Sequence, residues 1–218
     1  AQGAYPSHPY PLHLLETAGT LICTDGAVNK LQGREPDRVV GDLDSLSETL
    51  REKYSSRLVQ DICQETNGLT KAVQYCFREG FRSIVILGAT GLREDHTLGN
   101  ISLLGTYAQM MDTVRMVTDH GVFFVFARGT QKADGFMEVN IPCPAGNPVS
   151  FFAINPAMRL RAKGVHYPVE SVVFDSWWKA TLNRCTGSSL ELSFLNGPLL
   201  VYLPYPPTWT EVPDIPAG

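Results

Sequence analysis

The pattern of apolar segments divides this chain into two parts, and that division limits the folds open to it. Across residues 1–117, short apolar segments of strand length alternate with segments whose apolar residues recur at helical spacing. Residues 83–87 (SIVIL) are continuously apolar, which is typical of a strand buried on both faces of a sheet. The first part is therefore predicted to be an α/β domain in which helices flank a mostly parallel sheet.

From residue 121 onward the pattern changes to short strands separated by turns. Residues 190–194 (LELSF) alternate apolar and polar side chains, and Asn196-Gly197 is a strong turn signal. We expect an antiparallel β-sandwich here and a proline-rich tail at residues 205–218 that packs on the surface or frays. The predicted domains are residues 1–119 and 120–218.

The predicted elements follow from these patterns. The strands are expected at residues 20–24, 38–40, 57–62, 83–87, 113–117, 122–127, 136–141, 149–154, 158–162, 169–175, 190–194 and 199–203. The main helices are expected at residues 11–18, 67–79 and 94–112, with Thr66 or Asn67 as the cap of the second.

Composition argues against several classes of function. The net charge of −4 offers no broad basic surface for nucleic acid or an anionic membrane. The longest apolar run, residues 122–127, is far too short to span a bilayer. The five cysteines are odd in number and include no C-x-x-C pair, which predicts buried thiols rather than disulfides or a zinc site. With no visible signal peptide, we expect a cytoplasmic protein.

The segment VGDLDS (residues 40–45) joins a predicted strand to a predicted helix. Ser45 and Glu48 have the spacing of a capping box, so a helix is expected to begin directly after Ser45. A helix N-terminus suits phosphate, and Asp42 and Asp44 offer the oxygen ligands of Mg²⁺ carried by a nucleotide. An acidic surface turn with a good cap gives the same pattern, so the segment alone leaves both interpretations open.

Other strand ends of the first part also carry polar or glycine residues. They are Asp25-Gly26, the run CQETN (residues 63–67), and GATG (residues 88–91) followed by REDH (residues 93–96). Because the carboxyl ends of parallel strands share one edge, we expect one crevice to collect a larger set of charged side chains. These are Asp25, Asp42, Asp44, Lys71, Arg93 and Asp95. Acidic residues with a metal, together with basic residues, are the components of phosphoryl transfer.

Four segments in this order resemble the thiamine pyrophosphokinase family. They are DGAVNKL, PDRVVGDLDS, QETNGLTKA and GATGLREDHTLGN, and the β-rich segment after them resembles that family's C-terminal domain. The resemblance implies an ATP-binding catalytic α/β domain, a thiamine-binding β-sandwich, and a homodimer with active sites at the subunit interface. It implies transfer of the terminal pyrophosphoryl group of ATP to the hydroxyl of thiamine with Mg²⁺, giving thiamine diphosphate and AMP.

The resemblance also implies roles for individual residues. Catalytic roles fall to Asp42, Asp44 and Asp95, and the metal ligands are Asp42, Asp44 and Asp25. ATP binding falls to Asp25, Lys71, Arg93, His96 and Asn100, although His96 by itself is more typical of a residue that caps or satisfies a buried helix start. On the thiamine side stand Gln64 and Asn183, and Tyr167 is an aromatic candidate for stacking on the substrate.

Three features depart from the family pattern. Cys63 and Gly68 stand where the family usually has aspartates, and a glycine supplies neither charge nor a metal ligand. Residues 1–3 resemble a segment that the family places after its first strand, so that strand is expected to be absent here. Two alternatives therefore stay open: a catalytically weakened homologue that binds thiamine or a nucleotide, and a diphosphokinase for another small alcohol such as a pterin.

Overall fold

The computed structural model describes residues 1–205, so the proline-rich tail beyond them lies outside the described residues. The chain divides into two compact units, residues 1–103 with 117–119, and residues 104–116 with those from 120 on. The division cuts the helix at Glu94–Met110. The predicted domain boundary between residues 119 and 120 stays a prediction.

The first unit alternates helices and strands, as the sequence predicted. Its helices are α1 (Pro9–Thr17), α2 (Asp25–Val28), α3 (Glu48–Lys53), α4 (Gly68–Arg78) and the beginning of α5 (Glu94–Met110), with a short 3-10 helix at Ser55–Arg57. Its strands are β1 (Ile22–Thr24), β2 (Arg38–Gly41), β3 (Leu58–Gln60) and β4 (Ser83–Leu87). Strands β1, β2 and β3 form a parallel sheet in that order.

Strand β2 is the centre of this sheet because both of its faces are buried. Successive side chains of a strand point to opposite faces, and Val39 and Val40 are both fully buried. Val39 packs in a cluster with Leu43 and Tyr54, whereas Val40 packs against Ala72 of α4. The strand is thereby fixed from both sides, and so is the turn that follows it.

Strand β4 does not join the β1–β3 sheet, so the predicted single sheet of the first part is wrong in this respect. Strands β1 and β4 are both edge strands and both line a cavity of about 560 Å³, together with side chains of α1 and α4. Val85 of β4 lines this cavity and is 44% exposed, so the predicted burial of both faces is wrong at that residue. Among residues 1–205 no strand precedes β1.

The second unit is an antiparallel β-sandwich, as predicted. Its strands are β5 (Thr113–Val117), β6 (Gly121–Phe126), β7 (Thr130–Gln131), β8 (Met137–Pro142), β9 (Pro148–Ala153), β10 (Arg159–Lys163), β11 (Asn183–Arg184), β12 (Ser189–Leu195) and β13 (Leu199–Pro204). One sheet has the order β10-β12-β8-β7, and the other contains β11-β9-β13-β6-β5. Leu190, Leu192 and Phe194 are buried while Glu191 is exposed, which confirms the alternation read from β12.

The predicted strand at residues 169–175 is wrong, because this segment is an irregular loop. Val169 and Phe174 are buried and a turn bond joins Val172 N–H to the carbonyl of Val169 at 3.0 Å. The apolar residues anchor a loop here, and composition does not distinguish such a loop from a strand. Strands β7 and β11 were not predicted, since elements of two residues show no periodicity.

The cysteine prediction is wrong for two residues. Cys143 and Cys185 form a disulfide with 6.4 Å between their Cα atoms. Main-chain bonds bring them together, since Cys143 N–H donates to Ser188 O at 3.0 Å and Cys185 N–H to Asn147 O at 2.9 Å. The disulfide joins positions 42 residues apart, and the spacing of the cysteines in the sequence does not predict it.

The remaining cysteines are free and differ in burial, with Cys23 buried, Cys76 half-buried and Cys63 exposed. Cys63 is therefore not the buried thiol that the sequence predicted. No helix within residues 1–205 has the length and apolar character needed to cross a membrane.

These thiols permit a direct test of the disulfide. In denaturant without a reductant we expect three thiols to react with an aromatic disulfide reagent, and five after reduction. In the folded protein Cys63 should react fast, whereas Cys76 should react slowly because burial raises its pKa to about 11 and the thiolate is the nucleophile. Cys63→Ser should remove the fast phase. Five reactive thiols in the unreduced, denatured chain would contradict the disulfide.

Candidate active site

The site begins where β1 and β2 end side by side. The two parallel strands pair in a register that sets Thr24 beside Val40, so Asp25 and Gly41 follow at neighbouring positions. A Cβ atom on Gly41 would lie 2.4 Å from Cγ of Asp25, closer than real side chains approach. Only glycine at position 41 therefore leaves room for the Asp25 carboxyl group.

Asp25 is a buried acid, only 7% exposed, whose oxygens accept main-chain hydrogen bonds. Oδ1 accepts from Gly26 N–H at 2.7 Å and Oδ2 accepts from Leu43 N–H at 3.0 Å. Burial raises the pKa of Asp25 above its usual range, and the neighbouring Asp42 carboxylate adds to this rise. Of the two acids, Asp25 is the one that favours the protonated form.

Lys71 of α4 completes a cluster of three charged residues, Asp25, Asp42 and Lys71, which we call the acid–lysine cluster. Lys71 is only 2% exposed, and its Nζ donates to Oδ2 of Asp42 at 3.2 Å. This hydrogen bond holds the pKa of Asp42 below its usual range. A lysine is almost never buried without a partner, so the pair indicates a built site rather than a solvated turn.

The turn after β2 differs from the sequence prediction. Helix α3 begins at Glu48 with Ser47 as its cap, whose Oγ accepts from Leu50 N–H at 3.4 Å, so the predicted helix start after Ser45 is wrong. The reason is Ser47, whose ψ of 154° is extended, so the helical conformation cannot begin before Glu48. The acidic residues therefore do not stand directly at a helix N-terminus.

Asp42 and Asp44 flank Leu43 in this turn. Asp44 N–H donates to Oδ1 of Asp42 at 3.3 Å, and Asp44 is exposed. The sequence thus located the acidic pair and placed it in one crevice with Asp25 and Lys71, whereas the specific contacts among them are given by the folded chain.

An asparagine at the start of α4 is hydrogen-bonded to an asparagine of α5. Asn67 is the cap of α4, one of the two residues predicted for it, and its Oδ1 accepts from Thr70 N–H at 2.8 Å. Its Nδ2 donates to Oδ1 of Asn100 at 3.4 Å, and Asn100 Nδ2 donates to Ala89 O at 2.8 Å. Asn100 therefore ties the turn after β4 to the beginning of α4. No signal in the sequence indicated the role of Asn67 in this link.

Arg93, Asp95 and His96 form a second, exposed group at the start of α5. Arg93 Nε donates to Oδ1 of Asp95 at 3.1 Å, and the same oxygen accepts from His96 N–H at 2.8 Å. The Arg93 guanidinium lowers the pKa of Asp95. Of the six charged residues expected in one crevice, the contacts unite Asp25, Asp42 and Lys71, because β4 lies outside the β1–β3 sheet.

Gln64 is exposed in the turn after β3, where its Nε2 donates to Ile62 O at 3.4 Å. The neighbouring Cys63 N–H donates to Oδ1 of Asp61 at 3.1 Å. Cys63 lies in this turn and Gly68 opens α4, so neither of these two positions supplies the carboxylate that the family pattern implies.

In the second unit, Asn183 is 4% exposed and its amide is fully engaged. Oδ1 accepts from Tyr167 N–H at 3.0 Å and from Arg184 N–H at 2.8 Å, while Nδ2 donates to Tyr167 O at 2.7 Å. The Tyr167 side chain is 60% exposed and meets the His166 ring edge-on. Asn183 thus positions the backbone that presents Tyr167, a role that the sequence did not reveal.

The side-chain atoms of the acid–lysine cluster limit which metal ion the cluster could bind. Within residues 1–205, no group of three or more His, Cys, Asp or Glu side chains is arranged to hold a metal ion. Asp25 and Asp42 offer hard oxygen donors in close proximity. Mg²⁺ is usually held by one or two carboxylates together with substrate phosphates and water, rather than by an all-protein cage. The residues present therefore fit Mg²⁺ carried by a nucleotide.

Comparison with known families agrees with an α/β unit joined to a β-sandwich unit. Residues 12–121 match the model of the thiamin pyrophosphokinase catalytic domain, and residues 124–202 match that of the thiamin pyrophosphokinase substrate-binding domain. The chain belongs to the thiamin pyrophosphokinase family.

Individual relatives are distant. Thiamin pyrophosphokinase 1 of Caenorhabditis elegans is 27% identical over 129 residues, which cover 54% of this chain and 53% of that protein. The chain spans about half the length of the curated relatives it matches. The crystal structure of thiamine pyrophosphokinase from Bacillus subtilis has a TM-score of 0.72 at 23% identity, covering 92% of this chain and 96% of that one. The Candida albicans structure has a TM-score of 0.72 at 16% identity, covering 94% and 88%.

The close approach at Gly41 yields a stability prediction. Gly41→Ala should lower the free energy of unfolding by about 1–3 kcal/mol, because the methyl group displaces the Asp25 carboxyl group. The matched control is Gly99→Ala in α5, where no atom of the described residues, 1–205, lies within 4 Å of the new methyl group. That control should raise the free energy of unfolding by about 0.5–1 kcal/mol, the usual effect of alanine in a helix. Urea denaturation measures both, and an equal shift in the two variants would contradict the contact.

Proposed function

We propose that this chain transfers the terminal pyrophosphoryl group of ATP to the hydroxyl of thiamine, giving thiamine diphosphate and AMP. The observation that carries the proposal is the acid–lysine cluster at the ends of two adjacent parallel strands, in a chain that matches both domain models of the family. Residues 1–119 are proposed to bind ATP and perform catalysis, and residues 120–218 to bind thiamine.

The proposed reaction is a displacement at the β-phosphorus. A bond forms between the hydroxyl oxygen of thiamine and the β-phosphorus, the bond from that phosphorus to the α,β-bridging oxygen breaks, and AMP leaves. The hydroxyl proton departs to a base or to water. Catalysis of this kind depends mostly on positioning and on neutralising the charge of the triphosphate.

The role that we propose for each residue of the acid–lysine cluster, and for Asp44, follows from its charge and burial. Asp42 and Asp44, with Asp25, are proposed to hold Mg²⁺, which would neutralise charge on the triphosphate. Lys71 keeps Asp42 ionised and fixed in place through their 3.2 Å hydrogen bond. A cation held there would favour the ionised form of Asp25 and so would act against the burial that raises its pKa.

The second group at the start of α5 is proposed to face the phosphates. Arg93 is exposed and presents a guanidinium group, which matches phosphate geometry. Asp95 orients this guanidinium through a two-atom contact, and is proposed to contribute to catalysis in that way. His96 and Asn100 complete the proposed ATP side.

On the thiamine side we propose that Tyr167 stacks on the substrate, with Asn183 holding its backbone and Gln64 as a further contact. The exposed side chains of Tyr167, Trp178 and Leu182 support a homodimer with the active site at the subunit interface, because large exposed apolar groups mark interaction surfaces. A monomeric mass in light scattering at micromolar protein would contradict the dimer.

The cytoplasmic location expected from the cysteines and from the lack of a visible signal peptide stays a prediction. The Cys143–Cys185 disulfide counts against the first of these two grounds, since disulfides are rare in reducing compartments.

A second candidate is a catalytically weakened homologue that binds its ligands without efficient turnover. Gly68 favours it, because this residue opens α4 next to Thr24, immediately before Asp25, and offers no carboxylate to the acid–lysine cluster. A third candidate, a diphosphokinase for another small alcohol, differs only in the acceptor.

The activity itself is the first test. With ATP, Mg²⁺ and thiamine, the protein should release AMP and thiamine diphosphate in equal amounts. Asp42→Asn should lower kcat by about 100-fold or more, because it removes a preorganised charge at the proposed metal. The control Glu35→Gln, in an exposed ion pair with Lys53, should leave kcat unchanged. AMP release with a pterin alcohol but not with thiamine would select the third candidate, and no AMP with any acceptor would overturn transfer altogether.

Gly68→Asp distinguishes an efficient enzyme from a weakened homologue. Space is available, since within residues 1–205 the one atom within 4 Å of a new Cβ is Cβ of Thr24 at 3.9 Å, an ordinary contact. An aspartate in the first turn of α4 should raise the free energy of unfolding by about 0.5–1 kcal/mol through helix propensity and the helix dipole.

The weakened homologue predicts that Gly68→Asp raises kcat by about tenfold or more, as a restored catalytic charge does. The uncharged control Gly68→Asn should leave kcat near that of the unaltered protein. Equal kcat for all three proteins would show that the missing carboxylate does not limit turnover.

A further inference from the structure

Leu43 adopts a backbone conformation that L-residues avoid. Its φ of 72° lies in the left-handed region, where a branched aliphatic side chain is unfavourable. Such a conformation persists only when its surroundings over-determine it, and such residues concentrate at functional sites. Leu43 is also the single residue between Asp42 and Asp44, so its dihedral angles decide how those two carboxylates are directed relative to each other.

Four contacts hold Leu43. Its N–H donates to Oδ2 of Asp25 at 3.0 Å, and its side chain is buried in the cluster with Val39. Its carbonyl oxygen accepts from Nη2 of Arg51 at 2.7 Å and, less closely, from Leu46 N–H at 3.2 Å. A side chain therefore binds each polar backbone atom of the strained residue, Asp25 at the nitrogen and Arg51 at the oxygen.

Arg51 reaches back to the turn from α3. The helix places it in its last turn, and Arg51 N–H donates to Ser47 O at 2.9 Å. The far side of the turn is held by Asn29, whose Nδ2 donates to Ser45 O at 3.0 Å. Asp25 belongs to the proposed metal site, so it would bind both Leu43 N–H and a cation. Arg51 lies outside the proposed site, and its guanidinium group binds the Leu43 carbonyl.

We infer that Arg51 is a positioning residue that holds Leu43 in its left-handed conformation and thereby gives the Asp42–Asp44 turn its affinity for a divalent cation. The inference rests on the proposed metal site and adds a residue outside it. Without Arg51, the Leu43 carbonyl loses its shorter, charged hydrogen bond and keeps the 3.2 Å bond from Leu46 N–H, so the peptide relaxes towards negative φ. The direction of Asp44 relative to Asp42 then changes, and the turn would hold a cation less tightly.

If Arg51 acted through its charge alone, its removal would change the affinity for a cation in the opposite direction. A guanidinium near two carboxylates repels an incoming cation, so its removal would strengthen cation binding if Arg51 acted only through its charge. Removal weakens binding if Arg51 acts through the shape of the turn. The direction of the change separates the two roles.

The experiment titrates the purified full chain with Mn²⁺ and measures free Mn²⁺ by electron paramagnetic resonance. Arg51→Ala should raise the Kd for Mn²⁺ about tenfold, the usual effect of losing a residue that orients metal ligands. Arg51→Lys retains a donor for the Leu43 carbonyl and should recover most of the affinity. The matched control is Lys53→Ala, which removes a cation from the same turn of α3 but pairs with Glu35.

Two further measurements keep the outcomes distinct. A cooperative thermal transition in Arg51→Ala, with a midpoint close to that of Lys53→Ala, shows that the weaker binding is not general unfolding. Asp42→Asn tests the metal site itself. If Asp42→Asn loses Mn²⁺ binding while Arg51→Ala binds as tightly as the unaltered protein, or more tightly, the role of Arg51 is overturned and the metal site stands. If Asp42→Asn binds Mn²⁺ unchanged, the proposed metal site is overturned and this inference with it.

Discussion

The contact between the Asp25 carboxyl group and the Cα of Gly41 is the constraint on which the rest of the site depends. It exists because two parallel strands end in register and because position 41 has no side chain. From that position Asp25 binds Leu43 N–H and approaches Asp42. The acidic turn is therefore fastened to the sheet through a carboxyl group, and a single methyl group at position 41 would displace it.

The burial of charge explains why this arrangement is better understood as functional than as stabilising. Withdrawing Asp25 and Lys71 from water is unfavourable, and a well-packed apolar cluster would serve folding at least as well. In return, the site contains two neighbouring acids with opposite pKa shifts, Asp25 raised by burial and Asp42 lowered by Lys71. Such divergence is characteristic of sites that bind or transfer charge. Burial raises the pKa of Asp25 and the lysine lowers that of Asp42, so Asp25 takes up a proton at a higher pH than Asp42 does.

In both units, a side chain outside the proposed site binds the backbone of a residue in or next to that site. Arg51 binds the carbonyl of a residue between two proposed ligands, and Asn183 binds both polar backbone atoms of Tyr167. In each case a side chain that the sequence marks only as polar fixes the backbone that carries the exposed group. The Cys143–Cys185 disulfide adds a covalent link two residues beyond Asn183. Precise placement of exposed side chains thus depends on buried or half-buried neighbours.

The sequence by itself determined the class of fold, the alternation of β12 and the acidic pair Asp42–Asp44, and it narrowed the cap of α4 to Thr66 or Asn67. These follow from local periodicity and local hydrogen bonding, which act over a few residues. Tertiary structure alone decided which of the six charged residues expected in one crevice make contact, that residues 169–175 form a loop, and that β4 lies apart from the first sheet. These depend on which distant segments meet. No local pattern encodes the register of β1 on β2, the packing of α4 against β2 or the pairing of two cysteines.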